Sequence, residues 1–198
     1  MRIAVIGVQG AIEEHVVATK KALKRLGIDG EVVATRRHGI VSRSDAVIIP
    51  GGESTTISRL MFKDSIAKEV IELAEEGKPI MGTCAGLILL AKHGDEQVEK
   101  TKTKLLGLLD IWIKRNAFGR QRESFQVKLN IKNIGEFEAV FIRAPAITKV
   151  GRGVDVLARF EDYIVAVQQN KILGLAFHPE LTDDTRIHEY FISLIDKT

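Results

Sequence analysis

Short apolar runs alternate with amphipathic stretches along the first half of the chain. Apolar runs rich in β-branched residues are typical of buried strands, and they predict strands at residues 3–8, 31–35, 45–49 and 79–83. Apolar positions at helical spacing predict helices at residues 11–26, after a capping pair formed by Ser54 and Thr55, at about 65–76 and at 85–91. Repeated strand–helix–strand units imply right-handed crossovers and a parallel sheet with helices on both faces.

The second half of the chain has a different pattern. Strand candidates separated by short turns rather than by helices lie at residues 109–114, 125–131, 139–142, 154–160, 163–168 and 172–177. Such spacing is typical of antiparallel strands, and a helix is expected at residues 188–195. The charged residues 92–104 have little hydrophobic pattern, and we interpret them as a mobile surface loop. The whole pattern predicts an α/β fold with a mostly parallel central sheet flanked by helices and an antiparallel portion in the C-terminal half.

Composition narrows the class of protein. The chain has 198 residues, of which 45% are hydrophobic and 28% are charged, so we expect one globular domain over residues 1–198. A single cysteine excludes an internal disulfide and a zinc site of several thiolates. The net charge of +3 is too weak to suggest nucleic-acid binding. With no targeting segment and no run of ~20 apolar residues, a cytoplasmic protein that does not enter a membrane is expected.

The single cysteine lies where a nucleophile is expected. Cys84 stands between a predicted strand and a predicted helix, in the segment Gly-Thr-Cys-Ala-Gly at residues 82–86. Small residues two positions before and after it allow the sharp strand-to-helix turn of a nucleophile elbow, here with cysteine in place of serine. A small buried core cysteine is the alternative, but the flanking glycines and the strand end favour the nucleophile.

His178 and Glu180 are candidates for the base and its orienting acid. Pro179 disfavours a helical conformation at His178, and in an extended segment residues two apart lie on the same face. A carboxylate beside an imidazole orients the ring, and the imidazole can deprotonate a thiol. Without Cys84, a surface turn would be the better interpretation of this pair. We expect the remaining histidines to be solvated rather than catalytic: His15, His38, His93 and His188.

A third unusual segment follows the predicted strand at residues 45–49. Gly51 and Gly52 allow backbone N–H groups to approach a ligand closely, as an oxyanion hole requires, although a Gly-Gly pair alone is more often only a loop. Glu53 would suit a substrate that carries an ammonium group. A phosphate-binding loop is disfavoured, because the lysine of that pattern is absent.

Together these segments resemble a class I, or triad, glutamine amidotransferase. The residues that carry the resemblance are Pro-Gly-Gly-Glu-Ser at 50–54, Gly-Thr-Cys-Ala-Gly at 82–86 and His-Pro-Glu at 178–180. The resemblance implies an amidotransferase domain with a flavodoxin-like fold.

Three further segments narrow the resemblance. They are Val-Gln-Gly-Ala at 8–11, Arg-Asn-Ala-Phe-Gly-Arg-Gln at 115–121 and Phe-Ile-Arg-Ala-Pro at 141–145. They are similar to segments of the glutaminase subunits of pyridoxal 5'-phosphate synthases, the enzymes of vitamin B6 biosynthesis. The quoted motifs extend from residue 8 to residue 180, so the resemblance covers nearly the whole chain.

The resemblance implies a role for each motif residue. Cys84 would attack the side-chain amide of L-glutamine to give a γ-glutamyl thioester, with His178 as the base and Glu180 orienting it. Backbone N–H groups of Gly52 and Ala85 would form the oxyanion hole. The residues implied around glutamine are Gly52, Glu53, Ser54, Arg115, Ile142 and Arg143. Considered without the family, both arginines would be interpreted as forming surface or interface salt bridges.

The resemblance also implies a partner. In that family the ammonia passes to a separate synthase subunit, a (β/α)₈ barrel that builds pyridoxal 5'-phosphate within a large hetero-oligomer. Docking of the synthase completes the oxyanion hole. Gln9 and Gly10 are candidates for that contact, although an ordinary strand-to-helix turn would also explain them. The resemblance implies no metal and no cofactor in the glutaminase itself, and no nucleic-acid or membrane partner.

Three alternatives stay open at this point. The same glutaminase chemistry could supply another synthase, such as that of histidine biosynthesis, although the narrower motifs argue against it. A purely regulatory domain would have no need to keep Cys84, His178 and Glu180 together. A cysteine hydrolase of the related superfamily would have no evident reason to carry Glu53 and the His-Pro-Glu segment.

Overall fold

The structure, a computed structural model, describes residues 1–119 and 123–195. Within them the strands are β1 (Arg2–Ile6), β2 (Glu31–Thr35), β3 (Ala46–Ile49), β4 (Ile80–Thr83), β5 (Ala91–His93), β6 (Leu109–Lys114), β7 (Ser124–Ile131), β8 (Gly135–Ile142), β9 (Ala146–Val150), β10 (Asp155–Phe160), β11 (Tyr163–Gln169) and β12 (Ile172–Leu175). The helices are α1 (Ile12–Leu26), α2 (Ser54–Lys63), α3 (Ile66–Glu75), α4 (Ala85–Leu90), α5 (Glu96–Lys100) and α6 (Arg186–Ser193). Short 3₁₀ turns lie at Val41–Arg43 and Pro179–Leu181.

Most of the strands form one sheet, in the order β2-β1-β3-β4-β12-β11-β9-β6-β5, with β10 paired to β11. The pairs from β2 through β12 are all parallel, whereas β11 pairs antiparallel with β9, β10 and β12. β3, β4 and β12 are buried at every position, as expected for strands covered on both faces. The predicted α/β fold, parallel in its centre and antiparallel in part of the second half, is confirmed.

β12 connects the two parts of the sheet. It pairs parallel with β4, with Leu175 opposite Thr83, and antiparallel with β11. The last strand of the sequence therefore lies in the middle of the sheet. Because neighbouring parallel strands end at the same edge, the residues after Thr83 and the residues after Leu175 are brought together.

Outside the sheet, β7 and β8 form an antiparallel hairpin along their whole length. Aromatic packing holds it in place: the rings of Phe125 and Phe141 stack with centroids 4.8 Å apart, and Phe141 lies 5.6 Å from Phe177. The His178 N–H also donates to the Val140 carbonyl at 2.8 Å. The end of β8 consequently lies beside the segment that follows β12.

Most elements lie within two residues of the bounds that the sequence predicted. β8 is longer than the predicted strand at 139–142, because Phe137 also points into the core. β5 and β9 were not predicted. β9 reads Ala-Ile-Thr-Lys-Val and is buried only at its first two positions. Its apolar residues neither alternate with polar ones nor form a continuous run, so the strand pattern is not recognisable.

The predicted cap of α2 is wrong. Ser54 is the first residue of the helix, and the cap is Glu53, whose carboxylate accepts hydrogen bonds from the N–H groups of Thr55 at 3.0 Å and Thr56 at 2.7 Å. A carboxylate here satisfies two of the N–H groups that a helix leaves unpaired at its start.

The interpretation of residues 92–104 as a loop is also wrong. This segment contains the end of β5 and helix α5, whose first turn is capped by Asp95 through bonds of 3.0 Å from the N–H groups of Gln97 and Val98. Val98 is buried while its neighbours in α5 are exposed. Val98 is the buried side chain that anchors this five-residue helix. A single apolar residue among charged neighbours gives no recognisable hydrophobic pattern.

We expect Val98→Ala to destabilise the fold by about 1–2 kcal/mol, because it removes buried methyl groups. The matched control is Glu99→Ala in the same helix, where the side chain is exposed and a change within about 0.5 kcal/mol is expected. Urea unfolding of both variants measures the difference. Equal free energies of unfolding would contradict the anchoring role of Val98.

Candidate active site

Cys84 occupies a strained turn between β4 and α4. Its backbone has φ 50° and ψ −103°, a conformation that residues with a side chain rarely adopt. A Cβ at Gly82 would lie 2.7 Å from the Gly86 carbonyl oxygen, and a Cβ at Gly86 would collide with the carbonyl of Ile49. Both flanking glycines are therefore required by close packing, and the sharp strand-to-helix turn predicted at Cys84 is present.

His178 reaches Cys84 through the pairing of β4 with β12. The Cys84 N–H donates to the Leu175 carbonyl at 2.8 Å, and His178 follows three residues later. The imidazole lies beside the Cys84 side chain, since a Cβ at Gly51 would meet both of them, and its Nδ1 lies 2.7 Å from Oε1 of Glu180. Gly51 leaves room for the ring, since a Cβ there would collide with it. The structure thus brings the three predicted catalytic side chains into one chain of contacts.

The charge state of His178 follows from these contacts. Burial lowers the pKa of His178, but hydrogen bonds and charge from Cys84 and Glu180 outweigh burial and raise the pKa to about 10. His178 is therefore a doubly protonated imidazolium cation at neutral pH, and it lies between the sulfur and the carboxylate. Glu180, at 6% exposure, is shielded from solvent behind the ring.

A cleft of about 810 Å³ opens over Cys84 and His178. Its lining includes every residue that the sequence analysis placed around the substrate or in the oxyanion hole: Gly52, Glu53, Ser54, Ala85, Arg115, Ile142 and Arg143. Gln97, Asn116, Phe118 and Glu123 also line it. Ala85 begins α4, so its N–H has no acceptor within that helix.

Opposite charges lie side by side on one wall of this cleft. Nη2 of Arg115 is 4.0 Å from Oε1 of Glu53, and Nη1 of Arg115 donates to Thr101 Oγ1 at 3.4 Å. Burial raises the pKa of Glu53, but hydrogen bonds from Thr56 and Thr55 outweigh it and hold the pKa below its ordinary value. The wall therefore presents a carboxylate and a guanidinium together.

The end of β8 forms another wall. The Ile142 carbonyl lies 3.7 Å from the Cys84 sulfur. Arg143 follows in a left-handed conformation with φ 43°, and its N–H donates to the Glu123 carbonyl at 2.6 Å. The Arg143 side chain is largely exposed, and its Nη2 lies 3.9 Å from the Glu123 carboxylate. Ser54 lines the cleft as well, but its Oγ is buried without a hydrogen-bond partner in the described part of the chain.

Sequence reasoning missed several contacts around the site. Gln9 was named only as a candidate partner contact, but its Oε1 also accepts from the Glu53 N–H at 2.8 Å. The prediction that His15 and His188 are solvated is wrong, because both are fully buried. The buried positions of α1 include residues 15, 18, 19 and 22, a helical stripe that could have shown His15 facing inward.

His93 is also not simply solvated. Its ring stacks on Trp112 with centroids 3.9 Å apart, and its Nε2 lies 3.2 Å from Asp110. Only His38 among the remaining histidines is exposed. The last two residues of the 115–121 motif, Arg120 and Gln121, lie outside the described residues.

Comparison with known proteins identifies the family. The profile of the SNO glutamine amidotransferase family matches residues 5–197. The chain belongs to this family. It is therefore an enzyme of the glutamine amidotransferase type, as the resemblance implied.

Individual proteins similar to this amidotransferase support the same family. It is 76% identical to the pyridoxal 5'-phosphate synthase subunit PdxT of Archaeoglobus fulgidus over 98% of both chains, and 57% identical to the PdxT of Methanocella arvoryzae, again over 98% of both. A crystal structure of a glutamine amidotransferase superposes with a TM-score of 0.87 at 46% identity, over 98% of each chain. The PurLQS structure from Thermotoga maritima, at 18% identity over 98% and 96% of the two chains and a TM-score of 0.62, shares the fold.

Two further findings concern the described part of this amidotransferase. Among residues 1–119 and 123–195, no group of three or more His, Cys, Asp or Glu side chains could hold a metal ion. Within the same ranges, no helix is long and apolar enough to cross a membrane.

The raised pKa of His178 predicts a pH dependence of stability. Its pKa rises from 6.5 to about 10 on folding, so the stabilisation is fully present below pH ~6.5 and is lost as the pH rises through about 10. Between these values we expect the wild type to lose free energy of unfolding relative to His178→Asn, with a slope of at most ~1.4 kcal/mol per pH unit. Urea unfolding at several pH values measures the slopes.

The control for this prediction is His38→Asn. His38 is exposed, so this variant should follow the wild-type pH dependence. If His178→Asn also follows the wild-type dependence, His178 does not carry the proton that the geometry assigns to it.

Proposed function

We propose that this amidotransferase hydrolyses L-glutamine to L-glutamate and ammonia, and that the ammonia supplies a pyridoxal 5'-phosphate synthase. One observation carries the proposal: Cys84 stands at a strained elbow in an open cleft that His178 also lines, and His178 is bound to a buried Glu180. Nucleophile, base and orienting acid are the elements that acyl transfer from an amide needs.

The first half of the reaction forms a thioester. The Cys84 thiol gives its proton to His178, the resulting thiolate attacks the side-chain amide carbon of glutamine, and the negative charge moves to the amide oxygen. Gly52 and Ala85 line the cleft, and we propose that their N–H groups stabilise that oxyanion. His178 gives its proton to the amide nitrogen, the carbon–nitrogen bond breaks, and ammonia leaves.

The second half restores the enzyme. His178, now neutral, takes a proton from water, and the resulting hydroxide attacks the γ-glutamyl thioester. The carbon–sulfur bond breaks, glutamate leaves, and Cys84 and His178 return to their starting state. Throughout, Glu180 holds Nδ1 of His178 at 2.7 Å, so that Nε2 faces the sulfur.

The charged wall of the cleft suits an α-amino acid. Glutamine carries an ammonium and a carboxylate on one carbon, and Glu53 and Arg115 lie 4.0 Å apart with the complementary charges. We propose that Glu53 binds the ammonium group and Arg115 the α-carboxylate, with Gly52, Ser54, Ile142 and Arg143 completing the pocket. Such charge-assisted pairs reject molecules that lack either group.

The relatives named PdxT support the choice of partner. We propose that the chain docks on a (β/α)₈-barrel synthase subunit in a hetero-oligomer in the cytoplasm, with Gln9 and Gly10 near the contact. Gln9 already binds the backbone of Glu53, so a partner that touches Gln9 would act directly on the segment of the oxyanion hole.

Ammonia release from L-glutamine tests the function, with the protein alone and with added synthase. We expect a pyridoxal 5'-phosphate synthase subunit to stimulate release, and Cys84→Ala to lower release in the complex by ~10³-fold or more, because the nucleophile is lost. Full activity of Cys84→Ala would contradict the mechanism. Stimulation only by the synthase of histidine biosynthesis would contradict the choice of partner and leave the glutaminase chemistry intact.

Arg115→Ala tests substrate recognition. Loss of one charge-assisted pair should raise KM for L-glutamine by about 10- to 100-fold with little change in kcat. The preference for L-glutamine over an analogue with an uncharged α-amide should shrink by a similar factor. Steady-state kinetics with both substrates measure this.

The control for Arg115→Ala is Arg152→Ala, which removes an exposed arginine that does not line the cleft. It should leave KM unchanged. An equal preference for L-glutamine in wild type and Arg115→Ala would remove Arg115 from the binding site.

A further inference from the structure

A second layer of buried histidines lies behind Glu180. His15 of α1 and His188 of α6 are both fully buried, and His15 Nδ1 lies 3.2 Å from His188 Nε2. On its other side, His15 Nε2 lies 3.0 Å from Thr83 Oγ1 and 3.2 Å from Oε2 of Glu180. The mechanism above uses neither histidine.

The carboxylate of Glu180 has two differently placed oxygens. Oε1 binds His178, but Oε2 is buried and has no well-directed hydrogen bond within the described residues. Nε2 of His15 is 3.2 Å away from it and 3.0 Å from Thr83 Oγ1. Burying a carboxylate oxygen without a hydrogen-bond partner costs free energy. A proton on Nε2 of His15 therefore stabilises the position of the carboxylate in which Oε2 faces this nitrogen.

The contacts determine which nitrogen of His15 carries the proton. Burial, followed by the charges of His188 and His178, lowers the pKa of His15 well below its ordinary value, and burial lowers the pKa of His188 to about 4. Both rings are therefore neutral, with one N–H each. His188 Nδ1 has no partner in the described structure, so its proton belongs on Nε2, where it is donated to His15 Nδ1.

With Nδ1 accepting, His15 carries its proton on Nε2, which faces Thr83 and Glu180. The opposite tautomer would leave a buried N–H of His188 unpaired and would aim a lone pair at a carboxylate. Both effects are unfavourable. The titratable groups around this cluster in the described chain are His15, His188, Glu180, His178 and, beyond the ring, Cys84.

We propose that His15 is a positioning residue: as the neutral Nε2–H tautomer fixed by His188, it holds Oε2 of Glu180 so that Oε1 stays on Nδ1 of His178. The expected effect of His15 on glutamine turnover rests on the proposed function, whereas its effect on the position of Glu180 does not. His15 does not line the cleft and acts on the reaction through Glu180 and His178.

The test compares variants that differ only in the donor. His15→Leu removes the N–H, whereas His15→Gln keeps a donor at the end of a side chain of similar reach. The matched control is Thr19→Val: Thr19 is buried on the same face of α1 and donates only to the His15 backbone carbonyl in the contacts described. Loss of that bond disturbs packing without touching Glu180.

In His15→Leu, Glu180 no longer holds the imidazolium form of His178 as firmly. The midpoint of the pH dependence of Cys84 alkylation by iodoacetamide should therefore rise by about one pH unit. In the complex with the synthase, kcat should fall about tenfold or more with KM for glutamine nearly unchanged. His15→Gln should restore both values toward the wild type, and Thr19→Val should change neither.

A His15→Leu variant with the alkylation profile and kcat of Thr19→Val would overturn the proposal. If His15→Leu does not fold, ¹H–¹⁵N spectra of the imidazole groups in the wild type decide: a proton on Nε2 of His15 supports the assignment, and one on Nδ1 refutes it. Alkylation needs no glutamine. A shifted profile in a protein that releases no ammonia would uphold the positioning role and reject the proposed function.

Discussion

The parallel ladder between β4 and β12 holds Cys84 within reach of His178. The Cys84 N–H is bound to Leu175, and three residues of chain carry the imidazole from there to the sulfur. The glycines at residues 82, 86 and 51 then let backbone and ring approach more closely than any side chain would allow. The position of the proposed catalytic pair is thus a consequence of sheet order, and the loops of the cleft are arranged around it.

Electrostatics add a second constraint. A carboxylate as buried as Glu180 is tolerated only when it is paired and hydrogen-bonded. His178 supplies the pairing, and interactions with Cys84 and with Glu180 together raise the pKa of His178 to about 10. Because His15 and His188 are neutral, they add no positive charge behind the carboxylate, and His178 is the cation beside it. The groups on the buried side of the site therefore favour the cationic form of His178.

The sequence predicted the parts of the site that depend on local chemistry. The elbow at Cys84 needs small neighbours, and the central strands are continuously apolar, so both were recognisable. The proximity of His178 to Cys84, the capping role of Glu53 and the approach of Arg115 to it depend on long-range pairing that one sequence does not display. The burial of His15 was not predicted, because a polar side chain was assumed to be exposed to solvent. The single domain over residues 1–198 stays a prediction.

The central place of β12 has a consequence for the order in which the site comes into being. Cys84 leaves the ribosome before residues 172–180, which include the neighbouring strand β12 and His178. A chain interrupted before Ile172 contains the thiol and lacks both the histidine and the strand that aligns it. In the proposed mechanism, such a chain has the nucleophile without its base.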